Sequence, residues 1–376
     1  MKYFFIIGER SGDLHASNLI KAIKSKDNNA IIEGVGGELS QKEGMILTYH
    51  YKDLSIMGFL NVLLHLKTIN RNFQRCQDAL LQSNPDAVIL VDFPGFNLRM
   101  AKFANENGFK VFYYIAPKVW ASRESRIKDI KAYTDKVYTI FPFENKFFEE
   151  RGVKIEYVGN PLLDSIANNT SKYIDRQVFL TKHNLQDKPI VALLAGSRKQ
   201  EVKSLLPKFL AIREYFPEHQ FVLAGVENLG DEFYKSVAKE NLPDIIYNET
   251  YDILRYSEAA LVASGTATLE TALLKIPQIV CYDIGGGKII YNIYERFLLK
   301  VNYVSLVNLI MDKLVVKEFL QHHFNIRNLK TELHNLLYDE KYRQTILSDY
   351  DSIINKLGGV GASDKTALSI IKCLNK

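Results

Sequence analysis

Short apolar runs rich in β-branched and aromatic residues recur along this chain, separated by stretches whose apolar positions follow helical spacing. Runs that are apolar at every position, not every second one, mark strands covered on both faces, as in a parallel sheet flanked by helices. The alternation predicts an α/β fold. In the first half, strands are expected at 2–8, 30–35, 86–91, 110–115, 136–140 and 156–158, with a helix over 14–24. The stretch 166–188 is polar, with Asn168, Asn169, Thr170 and Ser171 in a row, and is the expected inter-domain linker. A second series runs through 190–194, 220–224, 244–246, 259–262 and 278–281, and from Val316 on the chain reads as helical and charged.

At 376 residues the chain is long for one core. The expected division is a domain over 1–167, a second over 184–345, and a helical tail over 346–376 that packs back on the first domain or on a partner chain. Two Rossmann-like units leave a cleft at the carboxyl ends of their strands, where ligands bind. Cys76, Cys281 and Cys373 are scattered with no CxxC pair, which argues against a disulfide framework or a zinc site and suits a reducing compartment. The start has one basic residue and a short apolar run that ends at Gly8, so it reads as a buried strand and not as a signal peptide. No run approaches the roughly 20 apolar residues of a membrane span. A net charge of +5 is mild and suits an anionic ligand or a membrane surface, or equally a chain that simply favours lysine, and no nucleic-acid partner is expected.

Small and charged residues gather where the strands end. Gly8, Glu9, Arg10, Ser11, Gly12 and Asp13 follow the first strand, where glycines permit a tight turn and the next helix offers free N–H groups to an anion. An ordinary turn capped by Ser11 or Asp13 accounts for them equally well. Asp92 ends the 86–91 run, just before Pro94 and Gly95 and near Asn97. A carboxylate there can accept a proton from an attacking hydroxyl, with Asp13 and Glu9 next in line for that role. The plain alternative is a turn-forming aspartate. Trp120 shares a loop with Lys118, Arg123 and Arg126. That set suits a sugar face and a phosphate, or an aromatic anchor under a solvated basic helix.

In the second half, Gly196, Ser197 and Arg198 close the 190–194 run, with Glu201 three residues on. Arginine there can grip a diphosphate as a fork, while Ser197 with Glu201 is also an ordinary helix start. Ser264, Gly265 and Thr266 form a small-residue turn after the 259–262 run, and a helix that begins there can hold a diphosphate without metal. Glu270 lies one turn past Thr266 on the same face, placed to accept hydrogen bonds from ribose hydroxyls or to sit as a solvated first-turn acid. Asn308 is the polar residue in an otherwise apolar segment. The stretch 54–66 is greasy for a surface helix and too short for a span, and Lys67, Arg71 and Arg75 follow it every four residues. It reads as an interfacial anchor or as a buried core helix with a basic extension.

Nine of these motifs, in register, resemble the lipid-A-disaccharide synthase family: GERSGD (8–13), LSIMGF (54–59), VDFPGFN (91–97), APKVWASR (116–123), FPFE (141–144), GNPLLD (159–164), GSRKQEV (196–202), ASGTATLE (263–270) and NYVSLVNL (302–309). The match runs from Gly8 to about His322, with Arg10, Lys118 and Val307 standing where the family usually has Ala, Ser and Pro. The resemblance implies a glycosyltransferase-B fold and an inverting transfer from UDP-2,3-diacylglucosamine to the 6-hydroxyl of 2,3-diacylglucosamine 1-phosphate, without metal or cofactor. It implies Asp92 as the base, with Ser197, Arg198, Ser264, Gly265, Thr266, Glu270 and Asn308 around UDP. Ile56, Met57, Phe59, Leu60, Leu63, Lys67, Arg71, Trp120 and Arg123 would face the acceptor or the inner membrane, on its cytoplasmic side. A homodimer through the C-terminal segment is a further implication. Two rivals are another enzyme of this fold, such as a UDP-N-acetylglucosamine 2-epimerase, and a non-catalytic lipid or nucleotide-sugar binder with no need of Asp92.

Overall fold

The structure, a computed structural model, describes residues 1–54, 66–121, 123–170, 174–283 and 303–375. The chain forms two units, one of Met1–Ala167 with Leu357–Lys376 and the other of Asn168–Lys356.

In the first unit the described strands are β1 (Lys2–Ile7), β2 (Ile31–Gly36), β3 (Ile46–His50), β4 (Ala87–Val91), β5 (Lys110–Tyr114), β6 (Lys136–Thr139) and β7 (Ile155–Tyr157). They pair in parallel in the order β3-β2-β1-β4-β5-β6-β7. Phe4, Ile6, Val88, Leu90, Val111 and Tyr113 pack in one core with Leu98, Met100 and Ala101 of the Pro94–Glu106 helix. The alternate residues Phe5, Ile7, Ile89 and Val91 are buried as well, which is why these runs are apolar throughout. Strand order reverses between β1 and β4, which pair from Tyr3 with Ala87 to Ile7 with Val91. The loops that follow them therefore leave the sheet side by side, at the topological switch point where α/β folds bind ligands.

The Ala362–Leu374 helix belongs to this unit and packs on the Arg10–Lys26 helix. The Asp164 carboxylate, in the GNPLLD motif, accepts hydrogen bonds from the Gly361 and Ser363 amides at 2.6 and 2.8 Å. Farther along, Ser369 Oγ accepts from Tyr138 Oη at 3.1 Å and donates to Glu156 at 2.6 Å.

The second unit holds β8 (Ile190–Leu194), β9 (Gln220–Gly225), β10 (Asp244–Tyr247), β11 (Ser257–Ala263), β12 (Gln278–Tyr282) and β13 (Glu318–Leu320), parallel in the order β10-β9-β8-β11-β12-β13. Its switch point lies between β8 and β11, where Leu194 pairs with Val262. Two strands depart from the expected series. β3 carries Thr48, Tyr49 and His50 at a sheet edge, and β13 is three half-buried residues inside the region read as helical. Among the described residues both pair on one side only, so neither needs an unbroken apolar run. The expected linker region carries helices at Pro161–Thr170 and Arg176–Lys182, the second capped by Asp175, whose side chain accepts from the Gln177 amide at 2.8 Å.

Candidate active site

At the first switch point the chain after β4 turns through two successive left-handed residues, Asp92 (φ +44) and Phe93 (φ +50). Such strain in residues other than glycine persists only where surroundings hold it, and it concentrates at functional sites. The surroundings here are specific. The Asp92 carbonyl accepts from Asn97 Nδ2 at 2.8 Å and from Tyr113 Oη at 2.7 Å. Asn97 Nδ2 also reaches the carbonyls of Val91 and Ile6, tying the ends of β4 and β1 together. The Phe93 ring fills the space where a side chain at position 8 would stand, so residue 8 can only be glycine without moving that ring. The Asp92 side chain is thus aimed by its backbone. Burial pushes its carboxyl up to about 6, with Lys118 pulling it down and Glu9 pushing it up.

Glu9 lies at the start of the Arg10–Lys26 helix and accepts from Ser11 Oγ at 2.7 Å. Asp13 is different. Its buried carboxylate accepts from the amides of Gly37, Leu39 and Ser40 at 2.9, 3.0 and 3.2 Å, and from Ser40 Oγ at 2.5 Å. Asp13 therefore holds the start of the Glu38–Lys42 helix, with three of these hydrogen bonds on Oδ1 and one on Oδ2.

The loop after β5 brings Lys118 and Trp120 to the same edge. Trp120 Nε1 donates to Glu144 Oε1 at 3.0 Å, and its ring meets Phe143 edge to face at 4.9 Å. Glu144 is fully buried, its second oxygen accepting from the Ile140 and Phe141 amides at 3.0 and 3.1 Å. Burial raises its carboxyl to about 7, against the lowering effect of the Trp120 hydrogen bond. Glu144 went without a role in the sequence reading, although Pro142 followed two residues on by Glu is a helix-start pattern that reaches back to the preceding amides. Lys118 is exposed and acts electrostatically on Asp92, on Glu144 and on buried His15, whose pKa burial lowers to about 4. Arg123 is exposed at φ +57, at the start of the turn that carries Arg126. Arg71 is exposed on the Leu66–Ser83 helix, with Lys67 in its first turn. Ile56, Met57, Phe59, Leu60 and Leu63 lie outside the described residues.

The second switch point sets two helix starts side by side, and they differ. At the Lys199–Ala211 helix, Glu201 Oε2 accepts from the amides of Ser197 and Arg198 at 3.2 and 3.3 Å, while Oε1 takes Arg198 Nη1 at 3.0 Å. That helix start is filled by its own carboxylate, and Gly196 at φ +97 leaves room for it. The Thr266–Leu273 helix has no acid in its first turn and no side-chain cap at Gly265; the Thr268 amide donates to the Gly265 carbonyl at 3.2 Å, and the start carries no carboxylate of its own to compete with an anion. Ser264 Oγ donates to the Val304 carbonyl at 3.4 Å. Glu270, half-buried on that helix, accepts from Tyr251 Oη at 2.9 Å.

The expectation that Asn308 touches the nucleotide is corrected. Asn308 is buried, its Nδ2 donating to Val316 O and Glu318 Oε1 at 2.9 and 2.8 Å, its Oδ1 accepting from the Val315 and Val316 amides at 2.8 and 3.0 Å. With both donors and both lone pairs engaged, it clamps its own loop. Glu318 completes the clamp by accepting from the amides of Val304 and Ser305 at 2.9 and 2.8 Å. Asn308 thus bears on Ser264 through Val304. Glu318 and Tyr251 escaped the sequence reading because only tertiary pairing reveals them.

Among the described residues no group of three His, Cys, Asp or Glu side chains is placed to hold a metal ion, and no helix is long and apolar enough to cross a membrane. The sequence model of the lipid-A-disaccharide synthetase family matches residues 3–370. A lipid-A-disaccharide synthase of Syntrophus aciditrophicus is 34% identical over 378 residues, covering 99% of this chain and 97% of that protein. Among solved structures, the UDP-GlcNAc 2-epimerase of Methanocaldococcus jannaschii in complex with UDP-GlcNAc and UDP superposes with a TM-score of 0.67 at 15% identity, covering 99% of this chain and 100% of the other. CalG4, the calicheamicin glycosyltransferase, gives 0.58 at 13% identity, covering 100% and 98%. These two likenesses carry the fold alone, that of the glycosyltransferase-B class.

Proposed function

The chain belongs to the lipid-A-disaccharide synthase family, and on that premise we propose how its residues divide the reaction. The enzyme is a glycosyltransferase that moves 2,3-diacylglucosamine from UDP-2,3-diacylglucosamine to the 6-hydroxyl of 2,3-diacylglucosamine 1-phosphate. UDP and the β(1→6)-linked disaccharide 1-phosphate leave. An α-linked donor and a β-linked product mean inversion, so one displacement assisted by a general base fits the stereochemistry. Asp92 takes the proton of the 6-hydroxyl as its oxygen bonds to the donor's anomeric carbon and the bond to UDP breaks. The observation that carries this reading is the Asp92 carboxyl itself, held on a strained turn at the β1–β4 switch point with its pKa raised to about 6. Glu9 and Lys118 tune it.

The open start of the Thr266–Leu273 helix, with Ser264, Gly265 and Thr266, takes the diphosphate charge that grows as UDP departs. Arg198, exposed beside Ser197, exchanges Glu201 for a phosphate oxygen, and Glu270 accepts from ribose hydroxyls. The reaction needs no divalent metal in this scheme. Trp120 and Arg123 meet the acceptor's sugar and phosphate. The 54–66 stretch, with Lys67 and Arg71, docks on the cytoplasmic face of the inner membrane or holds acyl chains, because both substrates are lipids. A homodimer would form by exchange of the C-terminal helix, since a partner's copy can satisfy the contacts Asp164 makes within one chain.

Steady-state kinetics with both substrates, beside calorimetric titration of UDP, test the division. Asp92→Asn is expected to lower kcat at least ~100-fold with UDP affinity nearly unchanged. Glu270→Gln is expected to weaken UDP and donor binding more than the chemical step. Near-normal turnover in Asp92→Asn would make Asp92 a turn-former and move the search for the base to Glu9.

A further inference from the structure

We propose that Tyr251 is a positioning residue of the nucleotide subsite, holding Glu270 so that the site takes a ribonucleoside diphosphate and discriminates against its deoxy analogues. The inference rests on the reading of Glu270 as the ribose acceptor and names what makes that acceptor selective.

Tyr251 stands in the Thr250–Arg255 helix that follows β10, and Glu270 in the Thr266–Leu273 helix that follows β11. Nineteen residues apart in sequence, they meet through one hydrogen bond, the phenol donating to Oε1 at 2.9 Å. No cation pairs with Glu270 among the described residues, so this phenol fixes the rotamer of its carboxylate. An ionised carboxylate offers about four lone-pair directions. Tyr251 fills one of them, and the remainder suit a vicinal diol, whose two hydroxyls can donate together to one carboxylate.

Selectivity follows from the burial that a bound sugar would complete over the half-buried Glu270. A site built to hydrogen-bond a hydroxyl rejects an analogue that lacks it, because its own polar group is then left desolvated and unpaired. Burial raises the carboxyl pKa of Glu270, while the hydrogen bond from Tyr251 acts in the opposite direction and favours the ionised form that accepts from a diol. Tyr251 thus sets the direction of the group that reads the sugar and opposes the loss of its charge. The tyrosine touches Glu270, not the ligand.

Calorimetric titration with UDP, 2′-deoxy-UDP and 3′-deoxy-UDP tests this, because a loosened unit weakens all three ligands alike whereas a mis-set Glu270 changes their ratio. The unaltered protein is expected to bind UDP at least about tenfold more tightly than the weaker deoxy form. In Tyr251→Phe that ratio is expected to fall below about threefold, approaching that of Glu270→Gln. A ratio kept in Tyr251→Phe but lost in Glu270→Gln overturns the positioning role and leaves the ribose reading intact. Equal binding of the three ligands by the unaltered protein, or a ratio kept in Glu270→Gln, overturns the ribose reading and this inference with it. If Tyr251→Phe does not fold, Tyr251→His, which lacks the phenol oxygen, is measured against the same two ratios.

Discussion

Lys118 and Glu9 pull the Asp92 carboxyl in opposite directions, and that opposition makes the base testable without touching it. A general base works only when ionised. With the carboxyl raised to about 6, kcat/KM should be level above that pH and fall about tenfold per unit below it. Glu9→Gln removes a negative neighbour, makes the carboxylate easier to form, and moves this acid limb to lower pH. Lys118→Ala removes a positive neighbour and moves the limb upward. The checking measurement is the pH profile of kcat/KM for the acceptor in the three proteins. A limb that stays in place in both variants assigns the ionisation to some other group.

Among the elements, the Ala362–Leu374 helix gives the clearest prediction. Asp164→Ala leaves the Gly361 and Ser363 amides without their acceptor. The loss should be about 1–3 kcal/mol in urea-induced unfolding, with faster proteolysis around the glycine-rich turn at 358–361. If proteolysis there is unchanged, the helix is held by its packing on the Arg10–Lys26 helix and by the Ser369 hydrogen bonds, not by Asp164. Strands such as Ala87–Val91 and Ile190–Leu194 announce themselves because both faces are buried and every residue must be apolar. The edge strands Ile46–His50 and Glu318–Leu320 do not, since a half-covered strand tolerates polar residues. Asp92 and Glu270 stand out as candidates for a related reason: a charged residue at the end of an apolar strand, or beside a small-residue turn, is conspicuous against its background. The true employment of Asp13 and Asn308 was not legible. Each is a polar residue in a ligand-like place, and what sets it aside is a set of backbone amides contributed by other segments. Motif spacing carries no information about those partners.

At the scale of the whole molecule, two predictions concern what the enzyme works with. Polar replacements at Met57, Phe59 and Leu60 should reduce co-sedimentation with anionic lipid vesicles or raise the acceptor KM, while the melting temperature stays put. Unfolding by the same replacements would make the 54–66 stretch a core helix. Excess EDTA should leave turnover unchanged, and a loss of activity that magnesium restores would overturn the metal-free scheme. The placement of the Ala362–Leu374 helix in the first unit also sets a timetable for synthesis on the ribosome. Residues 168–356 are contiguous and can close their sheet as soon as they emerge, whereas the first unit waits for the Ala362–Leu374 helix that follows them. The nascent first unit therefore stays incomplete while the second is made, and a chain stalled before residue 362 releases a finished second unit joined to an unfinished first one.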